Sequence, residues 1–191
     1  MNFVVLPKFE KMKIIIIALL LNLAFAGNNV IAQTIRNNSP FEISFGRGTS
    51  LYKNIKTDQS LVIFKVKEIS GNLGLFFYEN DINLEYMTEE GENIYLIGCA
   101  SMLRYDFEIL SMGLFLKAGI GFNYISSSNI GCRNLGGNFN FSEMLGIGAG
   151  IIDFHGVKTW LSYYFRHISN AGIYSSNEGY NSHYVIVSLL I

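Results

Sequence analysis

The chain has 191 residues, half of them hydrophobic, 14% aromatic and only 15% charged, with 14 Lys plus Arg against 15 Asp plus Glu. That balance excludes an electrostatic nucleic-acid binder, and 15 Phe with 11 Tyr exclude a disordered chain. A mean hydropathy of +0.28 with a single continuously apolar segment excludes a polytopic helical membrane protein, whose every span takes ~20 apolar residues.

The N-terminus reads as an export signal. Lys8, Lys11 and Lys13 precede Ile14 to Ala26, which is apolar apart from Asn22. That stretch is short for a bilayer span and right for a signal-peptide core. Cleavage after Ala32 is preferred, with Ala26 as the alternative, so residues 1–32 are the signal peptide and 33–191 one domain. An exported chain has no supply of ATP or NAD, and no phosphate-binding glycine loop is present.

From residue 40 onward the chain alternates in short runs cut by Gly, Asn and Ser clusters, the pattern of an all-β meander. Eight strands are predicted, at roughly 40–49, 60–68, 72–87, 93–107, 113–125, 138–153, 157–169 and 181–191. In the third, Leu73, Leu75 and Phe77 share one face while Ile82, Leu84 and Tyr86 share the other, so a bulge is expected near Glu79–Asn80. In the sixth, Phe139, Phe141, Leu145, Ile147, Ala149 and Ile151 oppose a face of Asn, Ser and Gly. In the seventh, Leu161, Tyr163 and Phe165 oppose Trp160, Ser162, Tyr164 and Arg166.

Such a chain fits two architectures. A lipocalin-like carrier turns the apolar face inward; an outer-membrane barrel turns it toward lipid. Strands of ~9–11 residues or more, and a chain that ends inside a strand, favour an eight-stranded antiparallel transmembrane β-barrel of the bacterial outer membrane. Its lumen is too narrow for a water channel. Arg104, Asp106, Lys117, Lys158 and Arg166 fall on the inner face and read as a structural charge network; Trp160 is expected there too, donating its indole N–H. If the N-terminus starts in the periplasm, the loops at 50–59, 88–92, 126–137 and 170–180 are extracellular.

Chemistry concentrates in Arg166-His167-Ile168-Ser169-Asn170-Ala171-Gly172. His167 and Ser169 lie two apart in a strand, so they share the outward face with Cα atoms ~6.6 Å apart. An imidazole beside a hydroxyl is the minimal activated nucleophile. Asn170 and the Gly172 backbone N–H are candidate oxyanion donors. Asn181 has the parity that returns it to the same side from the last strand. No cofactor is called for, and no metal cluster is apparent.

The run from His167 to Gly172, followed by Asn177-Glu178-Gly179, closely resembles the C-terminal signature of the PagL family of lipid A 3-O-deacylases. The resemblance implies an outer-membrane serine hydrolase acting on the ester-linked 3-position acyl chain of lipid A, with its site at the outer leaflet. It implies Ser169 as nucleophile, His167 as general base, and Asn170 with Gly172 as the oxyanion hole. One position departs. Where the family has a Glu as third member, fourteen residues after the His, this chain has Asn181. An amide oxygen can fix the imidazole tautomer but brings no charge. Glu178 is a possible acid substitute, ranked below Asn181. Glu143, which interrupts the apolar face of the sixth strand, reads as a rim carboxylate. The partners expected are lipopolysaccharide and outer-membrane lipid, with homodimerisation left open. The alternative is a non-catalytic outer-membrane barrel with a degenerate triad.

Overall fold

A computed structural model describes residues 42–65, 71–73, 76–89, 91–109, 112–154 and 157–190. The export-signal expectation, at 1–32, lies outside the described residues. The elements are β1 (Glu42–Ser50), β2 (Thr57–Lys65), β3 (Gly71–Leu73), β4 (Phe76–Glu89), β5 (Glu92–Ile109), β6 (Met112–Ile125), β7 (Asn129–Ile130), β8 (Arg133–Asn134), β9 (Phe139–Phe154), β10 (Val157–Ser169) and β11 (Tyr180–Leu190).

The sheet runs β2-β1-β11-β10-β9-β6-β5-β4, and a β2–β4 pairing closes it on itself. The result is an eight-stranded antiparallel barrel without a free edge. First and last strands meet over their whole length, from Glu42 opposite Leu190 to Ser50 opposite Ser182. Both ends of the barrel segment therefore lie at the short-turn end, and loops 51–56, 126–138 and 170–179 lie at the other.

The third predicted strand needs correction. β4 keeps one unbroken register with β5 from Phe77–Arg104 to Glu89–Glu92, so the expected bulge at Glu79–Asn80 does not interrupt that pairing; on the other side of β4, Lys65 faces Asp81 and Gly71 faces Tyr78. Gly71–Leu73 pairs with Phe76–Tyr78, alongside the same strand that β2 joins higher up. Leu73 thus belongs to the line of the second strand, whereas Phe77 lies in β4 itself, half-buried and of opposite parity to the exposed Ile82 and Leu84. A register shift also falls between β9 and β10, where Thr159 faces Ile152 and Trp160 faces Gly150.

Alternation decides what each side meets. Leu84, Ile97, Leu116, Ile120, Leu145, Ile147, Leu161, Val185 and Val187 all point outward and are exposed. A contiguous apolar wall of this kind suits hydrocarbon, not water. Aromatic rings band it at both ends. Tyr86 and Tyr95 (5.4 Å) and Tyr124 and Phe139 (5.3 Å) mark the long-loop end, and Phe76, Tyr105 and Phe107 the other.

The lumen is filled, but less uniformly polar than the alternation suggests. A charged layer joins Lys117 to Glu79 (3.2 Å) and Asp81 (3.3 Å), Arg104 to Asp106 (2.8 Å) and Arg166 to Glu85 (2.7 Å). Lys158, expected in this layer, is exposed. Trp160 lies inside as expected, but among the described residues its indole nitrogen has no hydrogen-bond partner; the ring packs on Phe115 beneath Arg104. The space for Tyr164 exists because Gly146 lacks a Cβ, which would collide with that ring.

An apolar plug closes the long-loop end: Ile55, Met87, Ile94, Leu96, Ile125, Ile130, Leu135, Ile168 and Tyr180, all buried. Ile130 and Leu135 come from the β7–β8 hairpin, within the 126–137 stretch expected as an extracellular loop. Ile168 and Tyr180 are the inward neighbours of the outward residues His167, Ser169 and Asn181. The plug therefore clamps the backbone from which those three project.

Candidate active site

His167 sits on the outer wall near the top of β10, ten residues above Val157. That is ~33 Å of strand, or ~25 Å along the barrel axis at a tilt of ~40°. An apolar band of this kind is about 25 Å tall, so the imidazole lies at its upper boundary, close to the aromatic ring level. The side chain is half-buried.

Register brings Asn181 of β11 directly opposite His167. The two meet in a 2.6 Å hydrogen bond between His167 Nδ1 and Asn181 Oδ1. With the amide oxygen accepting, Nδ1 carries the proton. Nε2 is then left with a free lone pair, the form a general base needs. Ser169 is half-buried on the same face, one pleat above. Among the described residues its hydroxyl makes no hydrogen bond to the ring. Rotation about χ1 is the motion that brings Oγ toward Nε2.

The loop above the site is tied down by Asn170, which is fully buried. Its amide NH2 donates to the Leu135 and Ser176 carbonyls, both at 2.5 Å. Its Oδ1 accepts the Gly172 N–H at 2.7 Å, and its own N–H donates to Asn177 Oδ1 at 3.0 Å. The chain turns through positive φ at Ala171 (52°) and Gly172 (81°) directly after the serine. Both expected oxyanion donors are thus engaged within the loop. In this geometry Asn170 shapes the turn. Gly172 reaches a substrate oxygen only by exchanging its bond to Asn170.

Glu178 is not brought to the imidazole. Its carboxylate accepts the Asn134 N–H, while its own N–H donates to the Asn134 carbonyl at 3.0 Å. Arg133 donates to the Gly179 carbonyl at 2.9 Å and to that of Glu178, and its guanidinium stacks on Tyr52. These contacts fasten the 170–179 loop to the β7–β8 hairpin. They also press Gly179 against the imidazole: a Cβ there would lie 2.8 Å from His167 Cε1 and 3.4 Å from Nε2. The role of Gly179 as a ring contact was not readable from sequence; only its place in the family signature marked it.

The signature and the barrel now stand together, and the whole strand region can be compared with known proteins. The family described as lipid A 3-O-deacylase (PagL) matches residues 43–189. The chain belongs to that family. A curated relative, the lipid A deacylase PagL of Pseudomonas aeruginosa, is 30% identical over 95 residues, half of this chain. The match spans about half (53%) of that relative's length. Among solved structures, the outer membrane enzyme PagL superposes with a TM-score of 0.61 at 22% identity, covering 78% of this chain and 99% of that one. Neisserial surface protein A gives a TM-score of 0.47 at 14% identity, over 78% of this chain and 92% of that one. The PagL superposition agrees with the fold read from the pairings, a closed barrel of the outer-membrane type.

Proposed function

We propose that this protein is an outer-membrane serine esterase that removes the ester-linked acyl chain at position 3 of lipid A, with its site at the outer leaflet. Residues 1–32 act as its export signal in this reading. The observation that carries it is the His167–Asn181 hydrogen bond, made outside the barrel wall beside Ser169. Membership of the lipid A 3-O-deacylase family supports the substrate.

The chemistry follows from the placement. Ser169 Oγ attacks the ester carbonyl carbon as its proton passes to His167 Nε2. Asn181 holds the ring with Nε2 toward the hydroxyl. The tetrahedral intermediate collapses, and the imidazolium returns the proton to the departing sugar oxygen. Water then attacks the acyl-serine with His167 again as base, releasing the fatty acid and regenerating Ser169. Backbone N–H groups of the turn after Ser169 are the nearest donors to the oxyanion, Gly172 among them once its bond to Asn170 is exchanged. A site on the outer wall meets a lipid ester by lateral diffusion, with no need to extract it from the bilayer.

The test is mass spectrometry of lipid A from cells making the native protein or its Ser169→Ala form. Loss of one hydroxyacyl chain with the native protein alone is the expected result. Unchanged lipid A with the native barrel in the outer membrane would favour the second reading, a barrel whose triad has degenerated. The uncharged Asn181 is the observation behind that reading.

A further inference from the structure

His167 has a cross-strand neighbour on each side. On β11 it faces Asn181; on β9 it faces Glu143. Residues directly opposed in antiparallel strands project from the same face with Cβ atoms ~4.5–5.5 Å apart. Asn181, His167 and Glu143 therefore form a row across the outer wall. Glu143 is exposed, and its neighbour on the far side, in β6, is Ile120. The other outward positions of β9 are Phe139, Phe141, Leu145, Ile147, Ala149 and Ile151. A carboxylate among them opposes lipid contact, yet it stands level with the base.

The row is asymmetric in charge. Asn181 accepts the hydrogen bond from Nδ1–H but leaves the imidazolium without a counter-ion on that side. Other charged or titratable groups around the ring are turned elsewhere. Glu178 is bound to the Asn134 N–H, Arg133 to loop carbonyls, and His183 Nδ1 to the Tyr163 hydroxyl at 3.0 Å. Among the described residues, Glu143 is the carboxylate that faces His167 from an adjacent strand, and it makes no ion pair there.

We propose that Glu143 is the counter-charge of the His167 imidazolium, so that the task of one triad acid is divided between two strands: Asn181 orients the ring and Glu143 supplies the charge. Glu143 neither gives nor takes a proton in the cycle. The proton moves only from Ser169 to Nε2 and on to the leaving oxygen. It is a positioning residue acting through His167, and the proposal rests on the reading of His167 as general base.

The experiment uses the full barrel in detergent micelles and a neutral alkyl fluorophosphonate, which labels an activated serine whatever its natural ester. Labelling rate is followed against pH by intact-protein mass spectrometry, with heat-shifted gel mobility checking the fold of each variant. Native protein is expected to label at Ser169. In Glu143→Gln the acidic limb of the profile should move down by about half to one pH unit, and the plateau rate should fall about three- to tenfold. Glu143→Asp should keep a near-native profile, and Asn181→Asp should rescue Glu143→Gln. An unmoved limb in Glu143→Gln, or slowing that Asn181→Asp does not rescue, would overturn the proposal while leaving the nucleophile reading intact. No label at Ser169 in native protein would overturn both. Labelling at Ser169 without lipid A cleavage would overturn the substrate alone, with the Glu143 comparison still deciding this proposal.

Discussion

Asn181→Asp is the substitution most informative about the base. It replaces an NH2 by an oxygen and keeps the side-chain length, so the 2.6 Å contact to His167 Nδ1 can persist with a charge added. The centres of a carboxylate and an imidazolium so placed lie ~4 Å apart. Their attraction is about 4 kcal/mol at an effective dielectric of ~20 and about 1 kcal/mol in bulk water. Asn181 is half-buried at the membrane boundary, which places the gain nearer the lower figure, about 1–2 kcal/mol. That corresponds to roughly a five- to thirtyfold rise in kcat/KM at the alkaline plateau. The sign on the pH axis is fixed as well. Negative charge favours the protonated ring, so the acidic limb, where the base is lost, moves to higher pH by about one unit. The assay is ester release from purified lipopolysaccharide in mixed micelles from pH 5 to 9. Asn181→Ala is the control: it frees the ring and lowers kcat about a hundredfold, the scale of an ångström of misplacement. An Asn181→Ala protein as active as native would refute the argument, as would an Asn181→Asp protein with an unmoved limb.

Two further outcomes follow from the structure. Gly179→Ala forces a Cβ to within 2.8 Å of the His167 ring at a residue whose φ is +66°. Activity should fall about tenfold or more, with a native heat-shift on gels; unchanged kcat/KM would show that the ring does not need this contact. Arg166→Ala leaves Glu85 buried with the Tyr184 hydroxyl as its remaining partner. It should cost about 3–5 kcal/mol in unfolding free energy, read by urea titration through Trp160, the single tryptophan. Equal midpoints for variant and native would show that the luminal pair adds nothing.

Much of the barrel could be read because strand periodicity is a local property. The seventh predicted strand, 157–169, coincides with β10 (Val157–Ser169), and the neighbouring boundaries fall within a residue or so. Burial on one side and lipid on the other write a two-residue period into the chain itself. What failed was non-local. Leu73 and Phe77 share a parity, yet they stand on different strands, Phe77 in β4 with Ile82 and Leu84. Alternation cannot say that Gly71–Leu73 lies across the turn, against Phe76–Tyr78. Nor does it mark the β7–β8 hairpin, whose Ile130 and Leu135 are fixed by the plug below them and not by any period of their own.

The same division runs through the site. His167 and Ser169 were legible because they are i and i+2 on one strand, and Asn181 because the parity of the next strand returns it to the same face. Glu143 has the right parity too, but parity places it only on a face. Its level relative to the imidazole depends on the register between β9 and β10, and that register shifts at Thr159/Trp160. Continued without the slip, the pairing of Thr159 with Ile152 would set Met144 against His167. The extra residue near the short-turn end thus decides which side chain His167 meets some seven residues higher. An irregularity in the sheet well below the site therefore sets its electrostatics, and a sequence pattern read one strand at a time does not contain that information.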